Sequence, residues 1–151
     1  MYDRMLRMDR AAVEESLNYV FTDETWLMQA LTHPSSDQKR STNLNYERLE
    51  YLGDAVLGMI SAEYIFNTFT ELPEGEMTKL RASIVCEQSL FEFAQEIGLG
   101  QYLLLGKGEI NGGGNKRPSV LSDAVEAVLA AIYLDGGIEA AKDFICEVNW
   151  Q

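Results

Sequence analysis

Apolar residues recur every three or four positions along almost the whole of this 151-residue sequence, and this restricts the fold more than any other feature. Such spacing lines one face of an α-helix. No stretch shows β-branched residues alternating with polar ones, the pattern of a half-buried strand. The sequence therefore predicts an all-α fold. Its length and the lack of a long linker predict one domain over residues 1–151.

Caps, prolines and glycines divide the periodic sequence into separate helices. The side chains of Thr22 and Asp23 can cap the second helix. A polar loop is predicted over 34–43 and a glycine-rich loop over 106–118. The predicted helices cover about 10–19, 24–31, 44–69, two segments between 73 and 98 that break near Cys86, 119–134, and a last segment after 137.

Charge and cysteine content exclude several classes of protein. A formal net charge of −12 argues against binding nucleic acid through bulk electrostatics. The two cysteines, Cys86 and Cys146, indicate neither a zinc site nor a disulfide scaffold, so a reducing cytoplasm is expected. The longest apolar run, 128–134, is too short for a membrane span, and charges interrupt the N-terminal residues, which excludes a signal peptide.

Three acids share one face of the longest predicted helix. Glu47, Glu50 and Asp54 fall within about 60° of arc at 100° per residue. The opposite face carries the residues expected in the core, namely Leu49, Leu52, Val56 and Ile60. Three acids on a helix usually form a solvated outer face. Here, however, like charges repel with only Arg48 nearby, and the aromatic Tyr51 lies on the same face.

A second acidic pair lies on the most apolar helix. Asp123 and Glu126 are spaced i, i+3, and the small neighbours Ala127 and Ala130 would let another helix approach closely. The ordinary alternative is that acids favour the first turn of a helix because of its dipole, with Ser122 as the cap.

The two acidic faces would repel each other strongly if they met. At ~5 Å and an effective dielectric of 20, each pair of charges repels by about 3 kcal/mol. A hard divalent cation removes this repulsion, and Mg²⁺ prefers oxygen ligands and substrate phosphates. Acid clusters of this kind are typical of phosphoryl chemistry.

Four segments resemble, in the same order, motifs of the ribonuclease III family of double-stranded RNA endonucleases. The signature-like segment is NYERLEYLGDAVL at 45–57, and the others are LTHPSS at 31–36, LPEGEMTKLRASIV at 72–85 and GKGEINGGGNKRPSVLSDAVEAVLAAIYLDGG at 106–137. The resemblance implies that family's helical endonuclease fold, which dimerises through the signature-motif helix. It also implies a catalytic domain over residues 1–151 that cleaves double-stranded RNA to 5′-phosphate and 3′-hydroxyl ends in rRNA or mRNA processing.

The resemblance also implies roles for individual residues. It assigns metal binding to Glu50, Asp54, Asp123 and Glu126, with Asp54 and Glu126 catalytic. The expected cofactor is Mg²⁺, for which Mn²⁺ can substitute. Glu47 and Glu74 match acids that shape the site and position the RNA, and Asn45 lies beside them. Tyr51 matches an aromatic knob that fits a socket on the partner of a homodimer.

The glycine-rich segment has two interpretations. It can be only a flexible connector. Alternatively, it positions RNA through polar and basic groups suited to phosphate oxygens, namely Lys107, Asn115, Lys116, Arg117 and Ser119. The single histidine, His33, is interpreted as a structural hydrogen-bonding residue.

Three hypotheses for function remain at this level. The first is a Mg²⁺-dependent endonuclease for double-stranded RNA, favoured because every acidic position is filled. The second is a catalytically silent RNA-binding or ribosome-associated dimer of the same fold. The third is an all-helical nucleotide pyrophosphohydrolase, which also gathers carboxylates around Mg²⁺. Bacterial members of the family usually continue into a basic RNA-binding domain. We expect this chain to be an excised nuclease domain, with a naturally short enzyme as the alternative.

Overall fold

A computed structural model describes residues 2–36 and 44–146 of the chain, and in this part it is all-α, as predicted. The helices of the described part are α1 (Tyr2–Leu17), α2 (Glu24–Leu31), α3 (Glu47–Thr68), α4 (Glu74–Ile84), α5 (Glu87–Glu96), α6 (Lys107–Asn111), α7 (Pro118–Gly136) and α8 (Ile138–Ile145). Short 3₁₀ helices cover Leu99–Tyr102 and Gly114–Lys116. No helix within these ranges is long and apolar enough to cross a membrane.

Helix α7 forms the centre of the core. It is apolar on nearly all faces, a pattern typical of a buried helix, and eleven of its nineteen residues are buried. Helices α2, α3, α5 and α8 pack around it. Pro118 occupies the first turn, where its missing N–H costs nothing, and Gly137, with φ of 90°, ends the helix.

Helices α3 and α7 pack most closely at Gly53. A Cβ atom added to Gly53 would lie 1.8 Å from the carbonyl oxygen of Glu126, so only glycine fits at this crossing. The expected core face of α3 is confirmed, since Leu49, Val56 and Ile60 are buried and Leu52 is partly buried. The close approach was predicted from Ala127 and Ala130, which are indeed fully buried, but the contact with α3 is made by Gly53.

Most helix boundaries agree with the sequence prediction. Asp23 caps α2, because its Oδ1 accepts a hydrogen bond from the Thr25 backbone N–H at 3.0 Å. The predicted break near Cys86 separates α4 from α5. Helix α3 begins at Glu47 rather than 44, because the Asn45 side chain accepts a hydrogen bond from the Glu47 N–H at 2.9 Å.

Two details of the prediction were wrong, and the alternative in which Ser122 caps α7 is excluded. Helix α1 begins at Tyr2 rather than Arg10 and ends at Leu17, where Asn18 takes a positive φ of 54°. The expected glycine-rich loop contains α6 and a 3₁₀ helix. Ser122 does not cap α7, because it lies one turn inside the helix and its hydroxyl donates to the Ser119 carbonyl at 3.2 Å. The predicted polar loop falls partly on 37–43, outside the described residues.

Two sets of hydrogen bonds hold the segments that flank α2 against the rest of the fold. The Asp135 carboxylate accepts from the Tyr19 hydroxyl at 2.6 Å and from the backbone N–H groups of Thr22 and Asp23. The residues after α2 pair with those after the first 3₁₀ helix, where the His33 N–H donates to the Leu104 carbonyl at 2.9 Å. The first contact ties the α1–α2 turn to the end of α7, and the second holds the segment that leads into α3.

We predict that Gly53→Ala strongly destabilises the fold. The added methyl group meets backbone atoms of α7, which cannot move without disrupting the core, so the free energy of unfolding falls by about 3 kcal/mol or more. Urea unfolding followed by circular dichroism measures the loss. Gly75→Ala, in the first turn of α4 where a Cβ meets nothing within 4 Å, is the matched control and should leave stability unchanged or raise it by up to ~1 kcal/mol. Equal stability of the two variants would contradict the tight crossing.

Candidate metal centre

Three acids from the two tightly packed helices converge. Glu50 on α3 and Asp123 and Glu126 on α7 each place one carboxylate oxygen within 4.8 Å of the others. All three side chains are partly buried. These three residues are called the acid cluster below. The two acidic faces identified in the sequence therefore meet, and the Gly53 crossing lies between them.

The fourth predicted ligand, Asp54, lies beside the acid cluster. It is exposed on α3, one turn after Glu50, and its carboxylate is hydrogen-bonded to that of Glu126. Asp54 thus contacts the cluster through Glu126, without placing an oxygen within the group formed by the other three.

The electrostatics of the acid cluster favour protonation. Burial, followed by the hydrogen bond and charge of Asp54, raises the pKa of Glu126 to about 8. Burial and then the charge of Asp123 raise the pKa of Glu50. Burial also raises the pKa of Asp123, against the opposing effect of its hydrogen bond with Glu50. The carboxylates are held close together although each disfavours ionisation of the next.

No basic side chain compensates this charge within the described ranges. The ion pairs there join Arg10, His33, Lys79, Arg117 and Lys142 to acids outside the cluster. A cluster of carboxylate oxygens that lacks a cation suits a hard divalent ion such as Mg²⁺ or Mn²⁺. The donor set therefore fits the expected cofactor.

Other predicted site residues lie around the acid cluster. Glu47 is exposed at the start of α3, and its charge contributes to the raised pKa of Glu50. Asn45 lies two residues before the helix, and its Oδ1 accepts a hydrogen bond from the Glu47 N–H. Glu74, at the start of α4, accepts a hydrogen bond from the Thr78 hydroxyl at 3.1 Å and lines a groove between α3 and α4. Glu74 is not part of the acid cluster.

The predicted RNA-positioning residues of the glycine-rich segment do not form one patch of free charges. The Arg117 guanidinium pairs with Glu109 at 2.8 Å. Asn115 and Lys116 line a separate cavity of about 410 Å³ together with Gln95 and Gln101. Lys107 begins α6, and Ser119 lies exposed in the first turn of α7. Arg117 and Ser119 lie at the start of α7, and none of the five residues belongs to the acid cluster.

Two residues near the cluster were missed by sequence reasoning. Glu87, the first residue of α5, contributes charge that raises the pKa of Asp123. No sequence pattern connects Glu87 with α7. Tyr46 is buried at the start of α3, and Asp123, Glu50, Glu47 and Glu109 are the charges that act on its hydroxyl. Its position four residues before Glu50 was the signal that could have identified it.

The face of α3 that carries Tyr51 is open. Tyr51 is 82% exposed, Phe66 68% and Met59 54%, and these apolar side chains follow one line along the helix. The groove beside them, of about 550 Å³, is lined by Met59, Phe66, Met77 and Glu74 among others. Exposed apolar patches of this kind are typical of protein interfaces.

Comparisons with known proteins agree on one family. A family model described as Ribonuclease-III-like matches residues 23–149. Ribonuclease 3 of Syntrophomonas wolfei is 54% identical over 125 residues, which are 83% of this chain and 54% of the relative. Ribonuclease 3 of Bacillus cereus strain ATCC 14579 is 44% identical over 149 residues, which are 97% of this chain and 61% of the relative.

A solved structure shares the fold. The nuclease domain of ribonuclease III from Campylobacter jejuni, a structure concerned with flexibility in its dimer-forming region, matches with a TM-score of 0.85 and 43% identity, covering 91% of this chain and 93% of that one. This chain spans about 54–61% of the length of the curated relatives above. The matched motifs, the helical fold and the family model together show that the chain belongs to the ribonuclease III family.

Proposed function

We propose that this chain is a nuclease domain that hydrolyses phosphodiester bonds of double-stranded RNA with the help of a divalent cation, Mg²⁺ or Mn²⁺. The observation that carries this proposal is the acid cluster of Glu50, Asp123 and Glu126, held by the packing of α3 against α7 with no ion pair to a basic group among the described residues. Membership of the ribonuclease III family supports the substrate class. Cleavage to 5′-phosphate and 3′-hydroxyl ends, as in RNA processing, is the expected chemistry, and a cytoplasmic location stays a prediction.

The proposed ligands are Glu50, Asp54, Asp123 and Glu126, with Asp54 and Glu126 closest to the chemistry. A divalent ion held by these oxygens supplies positive charge that lowers the pKa of an attacking water and stabilises the leaving oxygen. Asp54 orients the Glu126 carboxyl group through their shared hydrogen bond. With its pKa near 8, Glu126 is largely protonated at neutral pH in the metal-free chain, and it would release this proton to solvent on binding a cation.

The proposed RNA contacts lie outside the acid cluster. Double-stranded RNA is recognised mainly through its backbone and 2′-hydroxyl groups. We assign this role to Asn45, Glu47 and Glu74 and to the polar residues before and within the first turn of α7, which are Lys107, Asn115, Lys116, Arg117 and Ser119. With few basic groups, RNA binding by this chain should be weak, because few counterions are released when it binds.

We also propose that the chain acts as a homodimer through α3 and α4. The apolar line of Tyr51, Met59 and Phe66 would be covered by a second copy, with Tyr51 inserted into the partner. A two-fold interface would place two acid clusters on one assembly, one for each RNA strand. Glu74, at the edge of the α3–α4 groove, would then lie near the subunit boundary.

We predict that Glu126→Gln abolishes RNA cleavage. The change removes a proposed ligand charge while keeping nearly the same shape, so the cleavage rate should fall by more than about 100-fold with the helical circular dichroism unchanged. A labelled RNA duplex incubated with Mg²⁺ measures the rate, and Glu96→Gln, an exposed acid on α5, is the matched control. Normal cleavage by Glu126→Gln would refute the assignment. Tests of the native chain on other substrates separate the alternative functions. Hydrolysis of free nucleoside triphosphates, with single-stranded RNA and duplex DNA as further controls, would indicate pyrophosphohydrolase activity. RNA duplexes left uncut by the native chain with both Mg²⁺ and Mn²⁺ would indicate a silent binder.

We predict that Glu126 makes the metal-free protein less stable as pH rises. Its pKa is about 8 in the folded chain against the ordinary 4.5 of an exposed Glu, so the folded state retains a proton that the unfolded state has lost. Stability contributed by this group is therefore present below about pH 4.5 and is lost as pH rises through about 8. In EDTA, Glu126→Gln should melt higher than the native chain at pH 9, by at least ~3 °C, and equally at pH 4.5. Equal melting temperatures at pH 9 would contradict the raised pKa.

We predict that Phe66→Glu converts the dimer to a monomer. The side chain is 68% exposed in the protomer, so the helical fold should persist while the new charge opposes burial against a second copy. Light scattering during size-exclusion chromatography should report one chain instead of two. Ile110→Glu, at a residue 56% exposed on α6, is the control and should remain dimeric. A native chain that is monomeric at micromolar concentration, or a dimeric Phe66→Glu variant, would exclude this interface.

A further inference from the structure

Tyr46 is fixed beside the acid cluster by its backbone and its ring. Its N–H donates to the Thr32 carbonyl at 2.9 Å, and its carbonyl accepts from the Glu50 N–H at 2.8 Å. The ring packs edge-to-face on His33, with centroids 5.5 Å apart. The residue is only 3% exposed. Tyr46 therefore has little freedom to move away from α3 or toward solvent.

The Tyr46 hydroxyl has no hydrogen-bond partner among residues 2–36 and 44–146. Buried phenol groups normally have a partner, and a buried donor left without one destabilises the fold. The Tyr19 hydroxyl, by contrast, donates to Asp135 at 2.6 Å. Within the described ranges, this buried hydroxyl on a fixed side chain is therefore available to a partner that forms when the site is occupied.

Carboxylates of the acid cluster are the strongest charges that act on the Tyr46 hydroxyl. After burial, the groups that raise its pKa are, in order, the carboxylates of Asp123, Glu50, Glu47 and Glu109. Two of these belong to the acid cluster. The hydroxyl is thus a hydrogen-bond donor beside the cluster, with Asp123 as its strongest electrostatic neighbour.

The acid cluster lacks such a donor. Within the described ranges, its carboxylates are hydrogen-bonded only to other acids, through the Glu50–Asp123 and Glu126–Asp54 contacts. Carboxylates that ligate a metal normally accept an additional hydrogen bond from a neighbouring group, which fixes their orientation. In the part of the chain that the structure describes, the carboxylates of the acid cluster, which lack a donor other than an acid, therefore lie next to the Tyr46 hydroxyl, which lacks an acceptor.

We propose that Tyr46 is a positioning residue of the metal centre, whose hydroxyl donates a hydrogen bond to the Asp123 carboxylate when a divalent cation is bound. This inference rests on the metal site proposed above. The hydrogen bond holds Asp123 in the orientation in which its free oxygen faces Glu50 and Glu126. Tyr46 touches neither the RNA nor the reacting atoms, and its effect is on the affinity and geometry of the ion.

The test compares Tyr46→Phe with Tyr102→Phe. Both changes remove only a phenol hydroxyl, and that of Tyr102 lies 3.5 Å from the Ser16 hydroxyl rather than beside the cluster. Electron paramagnetic resonance measures the concentration of free Mn²⁺ as each purified chain is titrated with the ion. Tyr46→Phe should bind Mn²⁺ about 10-fold more weakly than the native chain, and Tyr102→Phe should bind as the native chain does.

Two further measurements separate positioning from a structural role. In EDTA, Tyr46→Phe should melt within ~2 °C of the native chain, because the ring and its contact with His33 remain. Its RNA cleavage should need about 10-fold more Mg²⁺ for half-maximal rate and recover at saturating Mg²⁺.

Each other outcome overturns the inference. Equal Mn²⁺ affinity of Tyr46→Phe and Tyr102→Phe would contradict the proposed hydrogen bond to Asp123. Weaker binding together with a large loss of thermal stability in EDTA assigns Tyr46 a structural role. If the native chain itself binds no Mn²⁺, the proposed metal site fails first, and this result is distinct from native binding that Tyr46→Phe leaves unchanged.

Discussion

The close packing of α3 against α7 is the contact on which the rest of the structure depends. Gly53 lets the two backbones approach until no Cβ would fit, and this separation sets the distances among Glu50, Asp123 and Glu126. Burial of the apolar α7 surface supplies the favourable free energy of this packing. Repulsion among the carboxylates opposes it, as the pKa of Glu126 near 8 indicates. The core therefore holds acidic groups together at a cost in stability, which is common at sites prepared for a ligand.

Within the described part of the chain, no ion pair relieves the repulsion among these carboxylates. The ion pairs of the described residues lie at the α1–α2 junction, on α4, between α3 and α8, and around Glu109. An arginine in contact with the acid cluster would stabilise the protomer and would also compete with a metal. The absence of such a contact in these ranges, together with the unpaired Tyr46 hydroxyl, leaves the cluster with oxygen ligands for a cation and one neutral donor beside them.

Much of this arrangement follows from sequence periodicity and capping. The helical class, the core face of α3, the Asp23 cap and the convergence of two acidic faces were predicted from the residues. What could not be predicted depends on contacts between distant segments. Glu87 acts on Asp123 only because α5 packs beside α7, and α6 forms within a glycine-rich stretch that has weak local preferences. The role of Gly53 also needed the position of α7, since a glycine within a helix has many explanations.

The central position of α7 has a consequence for the order in which the molecule loses structure on heating. The helix that supplies Asp123 and Glu126 is also the one surrounded by most of the core, so its amide protons should exchange only through global unfolding. Short surface pieces such as α6 can open and close far more often at little cost. Two of the three residues of the acid cluster therefore lie on the helix that should lose its structure last, while surface segments such as α6 can adjust around it.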